Sequence, residues 1–177
     1  MSYFPFLKLK QSEVLALKDC QTHILESISP FFDVPRPNTL TSDEIKSRID
    51  KGVKYLEKNW DYENLFYIDD FDLPSDILVE NANTFEYLLP LISEFSYIPA
   101  TGLHRINSHN NAIENQLRAG NVFENRVAIR LLVDDIASFK LVSNDLIRLF
   151  QRFVAYNASI DWIIDFRVIL DQDLNDL

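Results

Sequence analysis

The densest chemistry in this sequence is acidic: Ile68-Asp69-Asp70-Phe71-Asp72 sets three carboxylates within four positions. Hard divalent cations such as Mg or Mn want several carboxylate oxygens close together, which makes Asp69 and Asp70 the metal candidates and one such ion the candidate cofactor. Adjacent residues of a strand point to opposite faces, so both can ligate only if the strand ends between them. A third carboxylate would have to come from another strand, with Asp33 or Asp165 the natural choice. The plainer reading is a solvated loop whose aspartates cap helices.

A second set is cationic. Lys8, Lys10, Arg130 and Arg167, with Arg105 as a further candidate beside them, sit on or next to apolar stretches, and such groups fixed on strands suit a phosphate or carboxylate. Asp165 and Asp33 then read as acid/base groups or metal ligands, and His104, at the end of an apolar stretch, as a general base or donor. The chemistry these types serve together is phosphoester hydrolysis, which needs cationic charge stabilisation and an activated water. His23, His104 and His109 show no metal-ligand spacing, and no Gly-x-Ser-x-Gly elbow is present. With only Gly52, Gly102 and Gly120, where ordinary usage gives about twelve, Gly-rich phosphate loops are excluded.

These residues need a scaffold, and the helix signals are evenly spread. Thr41 with Glu44 forms a capping box before Ile45, Ile49, Val53 and Leu56, predicting a helix that ends near Trp60. Asn83 with Glu86 opens another, with Pro90 bending or ending it. Ser108 is read as the cap of a helix stopped by Gly120, Ser143 as the cap of a wide apolar stripe (Leu146, Leu149, Phe150, Phe153, Val154), and Ser12 as the start of a first helix. Strand candidates lie between: Tyr3 to Leu9, Ile28 to Val34, Leu65 to Asp69, Tyr97 to Leu103, Arg126 to Leu132 and Ile160 to Ile169. Their starts recur every ~24 to 37 residues, the size of a strand plus a crossover helix.

The fold expected is therefore α/β: repeated βα units forming a mostly parallel sheet, a partial TIM-like barrel of about six strands where a full barrel has eight. A doubly wound open sheet is the alternative. By period two, Val127, Ile129 and Leu131 oppose Arg126, Ala128 and Arg130, while Trp162, Ile164, Phe166 and Val168 oppose Asp161, Ile163, Asp165 and Arg167. The apolar faces should pack on helices, leaving the charged faces inside. Charges collect at the C-terminal strand ends, where barrels and open α/β sheets keep their sites. A structural ion-pair network is the competing reading. Phe4, Phe6, Phe32 and Tyr67 suit base or sugar stacking, or simply the core.

Composition bounds the rest. The chain has 177 residues, expected to form one domain (1–177), with 17 Lys and Arg against 27 Asp and Glu and a net charge of −10. That balance argues against gripping a nucleic-acid backbone, which takes clustered cations. The single cysteine, Cys20, points to a reducing compartment. The N-terminus lacks signal-peptide order, and no apolar run approaches the ~18 residues of a membrane span, so a cytoplasmic protein without a membrane partner is expected. The expected partners are a small anionic ligand, or a protein or second copy at an open sheet edge.

One resemblance emerges from Tyr3-Phe4-Pro5-Phe6-Leu7-Lys8-Leu9-Lys10, Glu13, Ala16-Leu17 and Ile28-Ser29-Pro30-Phe31-Phe32-Asp33-Val34, with Ala128-Ile129-Arg130 and Ile163-Ile164-Asp165 further on. This pattern resembles the phage and bacterial beta protein family. The resemblance implies a barrel-like fold, a phage or mobile-element setting, and Lys8, Lys10, Glu13, Arg130 and Asp165 as matching charged positions; it implies no particular activity. Family members are longer, so the chain is expected to be a shortened barrel. Two functions follow as expectations: a mouth site that binds and hydrolyses a small phosphorylated ligand or nucleotide, or a non-catalytic protein that binds a host or defence protein through its open edge and acidic surface.

Overall fold

The computed structural model describes residues 3–25 and 27–166. In chain order its elements are β1 (Phe6–Lys8), α1 (Gln11–Lys18), α2 (Thr22–Leu25), β2 (Phe31–Asp33), α3 (Ser42–Asn59), β3 (Phe66–Asp69), α4 (Thr84–Leu91), β4 (Tyr97–Thr101), α5 (Asn107–Ala119), β5 (Arg126–Leu132), α6 (Val133–Ala137), α7 (Phe139–Val154) and β6 (Ser159–Asp165). The sheet runs β1-β2-β3-β4-β5-β6, and every neighbouring pair is parallel.

This order decides between the two expected architectures. A doubly wound sheet reverses its winding at a switch point, whereas here each strand lies beside the next in sequence. All crossovers then place their helices on one side. The main core joins strand residues Phe32, Phe66, Ile68, Val127 and Ile129 to helix residues such as Ile45, Leu88, Ile113 and Phe153. The opposite face carries a separate cluster of strand residues, Phe31, Tyr67, Ile98, Ala100 and Ala128. Arg130 on β5 reaches Asp33 on β2 at 2.7 Å, and Tyr67 on β3 reaches Asp161 on β6 at 3.0 Å. Each link skips two strands, roughly 14 Å in a flat sheet, so the sheet is curled and this second face is its concave side. The result is a half-barrel.

Local signals act as their chemistry dictates at two helices. Thr41 accepts from the Glu44 N–H at 3.3 Å to start α3, and Asn83 accepts from the Phe85 N–H at 3.1 Å to start α4. Pro90 falls in the last turn of α4. Gly120 ends α5 in the left-handed region at φ 72°. Three expected caps are corrected. α5 begins at Asn107 after Ile106 and α1 at Gln11 after Lys10, so Ser108 and Ser12 lie within first turns. α7 begins four residues before Ser143, because α6 delivers the chain directly into it. Strands β1, β2 and β4 are shorter than expected, and residues 167–169 of the last strand candidate lie outside the described residues.

Candidate site at the strand ends

Four strand ends converge on one guanidinium. Arg130, buried in the concave face, donates to Asp33 from β2 (2.7 Å), Asp69 from β3 (3.0 Å) and Asp165 from β6 (2.6 and 2.9 Å). Its flat faces lie against Phe71 (4.5 Å to the centroid), Phe31 (5.2 Å) and Phe6 (5.5 Å). Burial opposes its charge, but the carboxylates outweigh burial and raise its pKa. Lys8 extends the network, donating to Asp33 at 3.1 Å and to Asp72. Charges this deep persist only when paired and hydrogen-bonded, and here they are.

Beside this lies a second guanidinium. Arg105, from the loop between β4 and α5, bridges Asp69 and Asp70 while stacking on Phe71 at 5.0 Å. β3 ends at Asp69, which satisfies the condition for both aspartates to act together, and the chain then turns the Asp70 carboxylate back beside it. Asp70 also accepts from Thr84 and faces His109 Nδ1 at 3.2 Å. His109, on α5, stacks flat on Phe85 (4.2 Å, 2°), and its Nε2 faces the Ala100 carbonyl at 3.0 Å. The two carboxylates are driven apart. Burial, with Asp70 adjacent, raises Asp69 despite Arg105 and Arg130; at Asp70 burial is outweighed by His109, Arg105 and Thr84, holding it down to about 2.

Asp69, Asp70 and His109 bring their ligand atoms within 4.8 Å of one another, a metal-like spacing. The donor set fits a divalent ion only in part. Both ring nitrogens of His109 face acceptor oxygens, and Arg105 supplies the positive charge between the aspartates. An ion there would have to displace Arg105.

A cavity of about 180 Å³ opens over these groups, lined by Asp69, Asp70, His104, Arg105, His109 and Asp135 among others. His104 Nε2 lies 2.9 Å from the Asp135 carboxylate, which also accepts from the Leu132 N–H at 2.9 Å. A carboxylate only accepts, so Nε2 carries the hydrogen, and in the neutral ring Nδ1 is the acceptor. His104 is exposed at the rim while Asp135, in the first turn of α6, is buried. The pair has the form of an oriented acid/base histidine.

Of the expected site residues, the fold brings together Asp33, Asp69, Asp165, Arg130 and Lys8, with Asp70, Arg105 and His104 around the cavity. Lys10 is a correction: it precedes α1 and lines a separate depression with Arg48 and Lys51. Arg167 lies outside the described residues. Arg130, expected to hold an anion, holds three aspartates instead. Glu13 accepts from the Lys8 N–H, so it fixes the turn into α1. The third group beside Asp69 and Asp70 is His109, where Asp33 or Asp165 was expected. Phe6, Phe31 and Tyr67 stack within the concave face, while Phe32 packs in the helix-side core. Asp135 and His109 had no legible role in the sequence, because both sit on helices and only the crossover geometry aims them at strand ends.

No helix among the described residues is long and apolar enough to cross a membrane. Comparison with curated proteins and with solved structures returned no match. The sequence model of the family described as Beta protein matches residues 3–176, nearly the whole length, and the half-barrel agrees with the fold that the N-terminal motif implies: the chain belongs to the beta protein family.

Proposed function

We propose that the cavity over Arg105 binds a small phosphorylated ligand, a phosphodiester in preference to a phosphomonoester, and hydrolyses it by acid/base catalysis at His104. The observation that carries this reading is the His104–Asp135 pair on the rim of the cavity that Arg105 lines. Arg105 lines the cavity with its fork already bridging Asp69 and Asp70, and its remaining N–H groups are the donors offered to a phosphate oxygen. The mouth holds Asp33, Asp69, Asp70, Asp72, Asp135 and Asp165 against Lys8, Arg105, Arg130 and two histidines. That excess of carboxylates favours one negative charge on the ligand over two. In this reading His104 Nδ1 takes the proton of the water that attacks phosphorus, the P–O bond to the leaving oxygen breaks, and the same histidine returns the proton to that oxygen; Asp135 steadies the ring, and Asp33 and Asp165 act at one remove, by fixing Arg130 beneath the cavity. The resemblance to phage and bacterial proteins supports a phage or mobile-element setting.

The test is turnover of bis(4-nitrophenyl) phosphate by the full chain. His104→Gln and Asp135→Asn should lower the rate by about 10² or more while the melt stays cooperative. Wild-type protein that neither turns over nor shifts its melt with a diester or nucleotide would sink the proposal. A second reading, a non-catalytic protein that binds a host or defence protein at its open edge, is favoured by the apolar residues left bare on β6.

A further inference from the structure

The two edges of the sheet differ. β1 is three residues long and follows Pro5, whereas β6 runs seven residues, Ser159-Ile160-Asp161-Trp162-Ile163-Ile164-Asp165, with no proline and no lysine to guard it. β5 occupies one side of β6, and no described strand occupies the other. Its helix-side face is bare beyond Ile160, which packs on the main core: Trp162 is 49% exposed, Ile164 52% and Phe166, just past the strand, 43%. A parallel sheet is ordinarily covered on that face.

The neighbouring helix is unfinished in the same place. α7 buries Leu146, Leu149 and Phe153 against the sheet, while Ile147, Phe150 and Val154, one position further round, stay exposed. Phe150 stacks on Trp162 with centroids 6.2 Å apart, so strand face and helix stripe form one surface. The seam carries little unpaired charge in a chain of −10: Asp161 is paired with Arg126 at 2.8 Å and Asp165 with Arg130.

We infer that this surface takes a second copy of the chain, β6 pairing antiparallel with β6 about a twofold axis at Trp162. That register sets Trp162 against Trp162 and Ile160 against Ile164 on the outer face. On the inner face Asp161 meets Ile163 and Asp165 meets Ser159, so no aspartate opposes another. A register one residue on, centred on Ile163, would oppose Asp161 to Asp165. The same axis brings the two α7 stripes to the two sides of one seam, which is what a self-complementary interface requires. The inference stands independently of the mouth chemistry.

Sedimentation velocity of the full chain from about 1 to 100 µM should show a concentration-dependent dimer. Trp162→Glu and Ile164→Lys should each weaken it at least ~30-fold, whereas Leu78→Glu, exposed on the loop before α4, should not. Trp162→Cys in a Cys20→Ser background should form an intermolecular disulfide on mild oxidation, because residues facing each other across the twofold have Cα atoms within bridging distance. Ile160→Cys, which faces Ile164, should cross-link far less. A monomer throughout the range, a dimer that survives both β6 substitutions, or a dimer in which Trp162→Cys fails to cross-link would each overturn the inference. The monomer would leave the surface to a chain of different sequence.

Discussion

Arg130 on β5 and Asp33 on β2 are 97 residues apart in sequence and 2.7 Å apart in space, joined across the hollow of the curled sheet. The link spans strands that do not pair with each other, so it reports the curvature of the whole sheet. It also makes one buried cation the common partner of three buried carboxylates.

Replacing that cation should be costly. Arg130→Leu leaves Asp33, Asp69 and Asp165 with a buried partner removed, and should destabilise the protein by roughly 3–5 kcal/mol in urea unfolding. Arg130→Lys, unable to fork toward three acceptors, should fall between. Asp165→Asn added to Arg130→Leu should cost much less than it does in the wild type.

Arg105 supplies the charge that a metal would otherwise bring to Asp69 and Asp70. Manganese should therefore leave the wild-type melt nearly unmoved and raise that of Arg105→Ala. At about 100 times the dissociation constant the gain is roughly 2.7 kcal/mol, several degrees for a chain of this size. An equal shift in both proteins would show that Arg105 does not stand in the ion's place.

Acid should act on Asp69 and Asp70 in opposite directions. The folded pKa of Asp70 is held below its ordinary value of 3.8, at about 2, so its stabilisation is present above pH ~4 and is lost as pH falls toward about 2; roughly 2 kcal/mol is at stake. Asp69 is raised when folded, so acidification from neutrality toward pH ~4 protonates the folded state first and adds stability. Urea unfolding across this range should show a gentle rise and then a steep fall. Asp69→Asn should remove the rise.

Gly102 sets the distance between β4 and β5 at the cavity. A Cβ there would lie 2.8 Å from the Arg130 carbonyl oxygen, which is backbone and cannot swing aside. Gly102→Ala should cost about 1–3 kcal/mol and displace the loop that carries His104 and Arg105. Loss of ligand response beyond the loss of stability would identify that displacement.

The repeat of strand and helix was legible because each carries its own period, and Thr41, Asn83 and Gly120 mark ends that local chemistry decides. Caps at Ser108, Ser12 and Ser143 misled because a serine near a helix start competes with the preceding chain, and tertiary packing chose the earlier residue. At the site, the charged faces of β5 and β6 could be read by alternation, so Arg130 and Asp165 were visible as inward residues. Their mutual pairing was not, since it depends on curvature. Asp135 and His109 lay hidden in helical segments, where nothing in a period of 3.6 says which residue overlooks a strand end. Lys10 failed because β1 stops at Lys8 and the chain leaves the sheet before alternation can carry Lys10 inward.

A sheet in which every strand lies beside its predecessor needs no strand to wait for a distant one. As the chain leaves the ribosome, each βα unit finds a completed template already in place, so assembly can proceed from the N-terminus with short-range contacts throughout. The exceptions are the Arg130 cluster and the Tyr67–Asp161 link, which close only when β5 and then β6 arrive. The arrival of β5 and β6 thus locks the charges of the earlier strands, and a nascent chain stalled before Arg130 would hold Asp33 with Lys8 and Asp69 with Arg105 but without the cation that the two aspartates share.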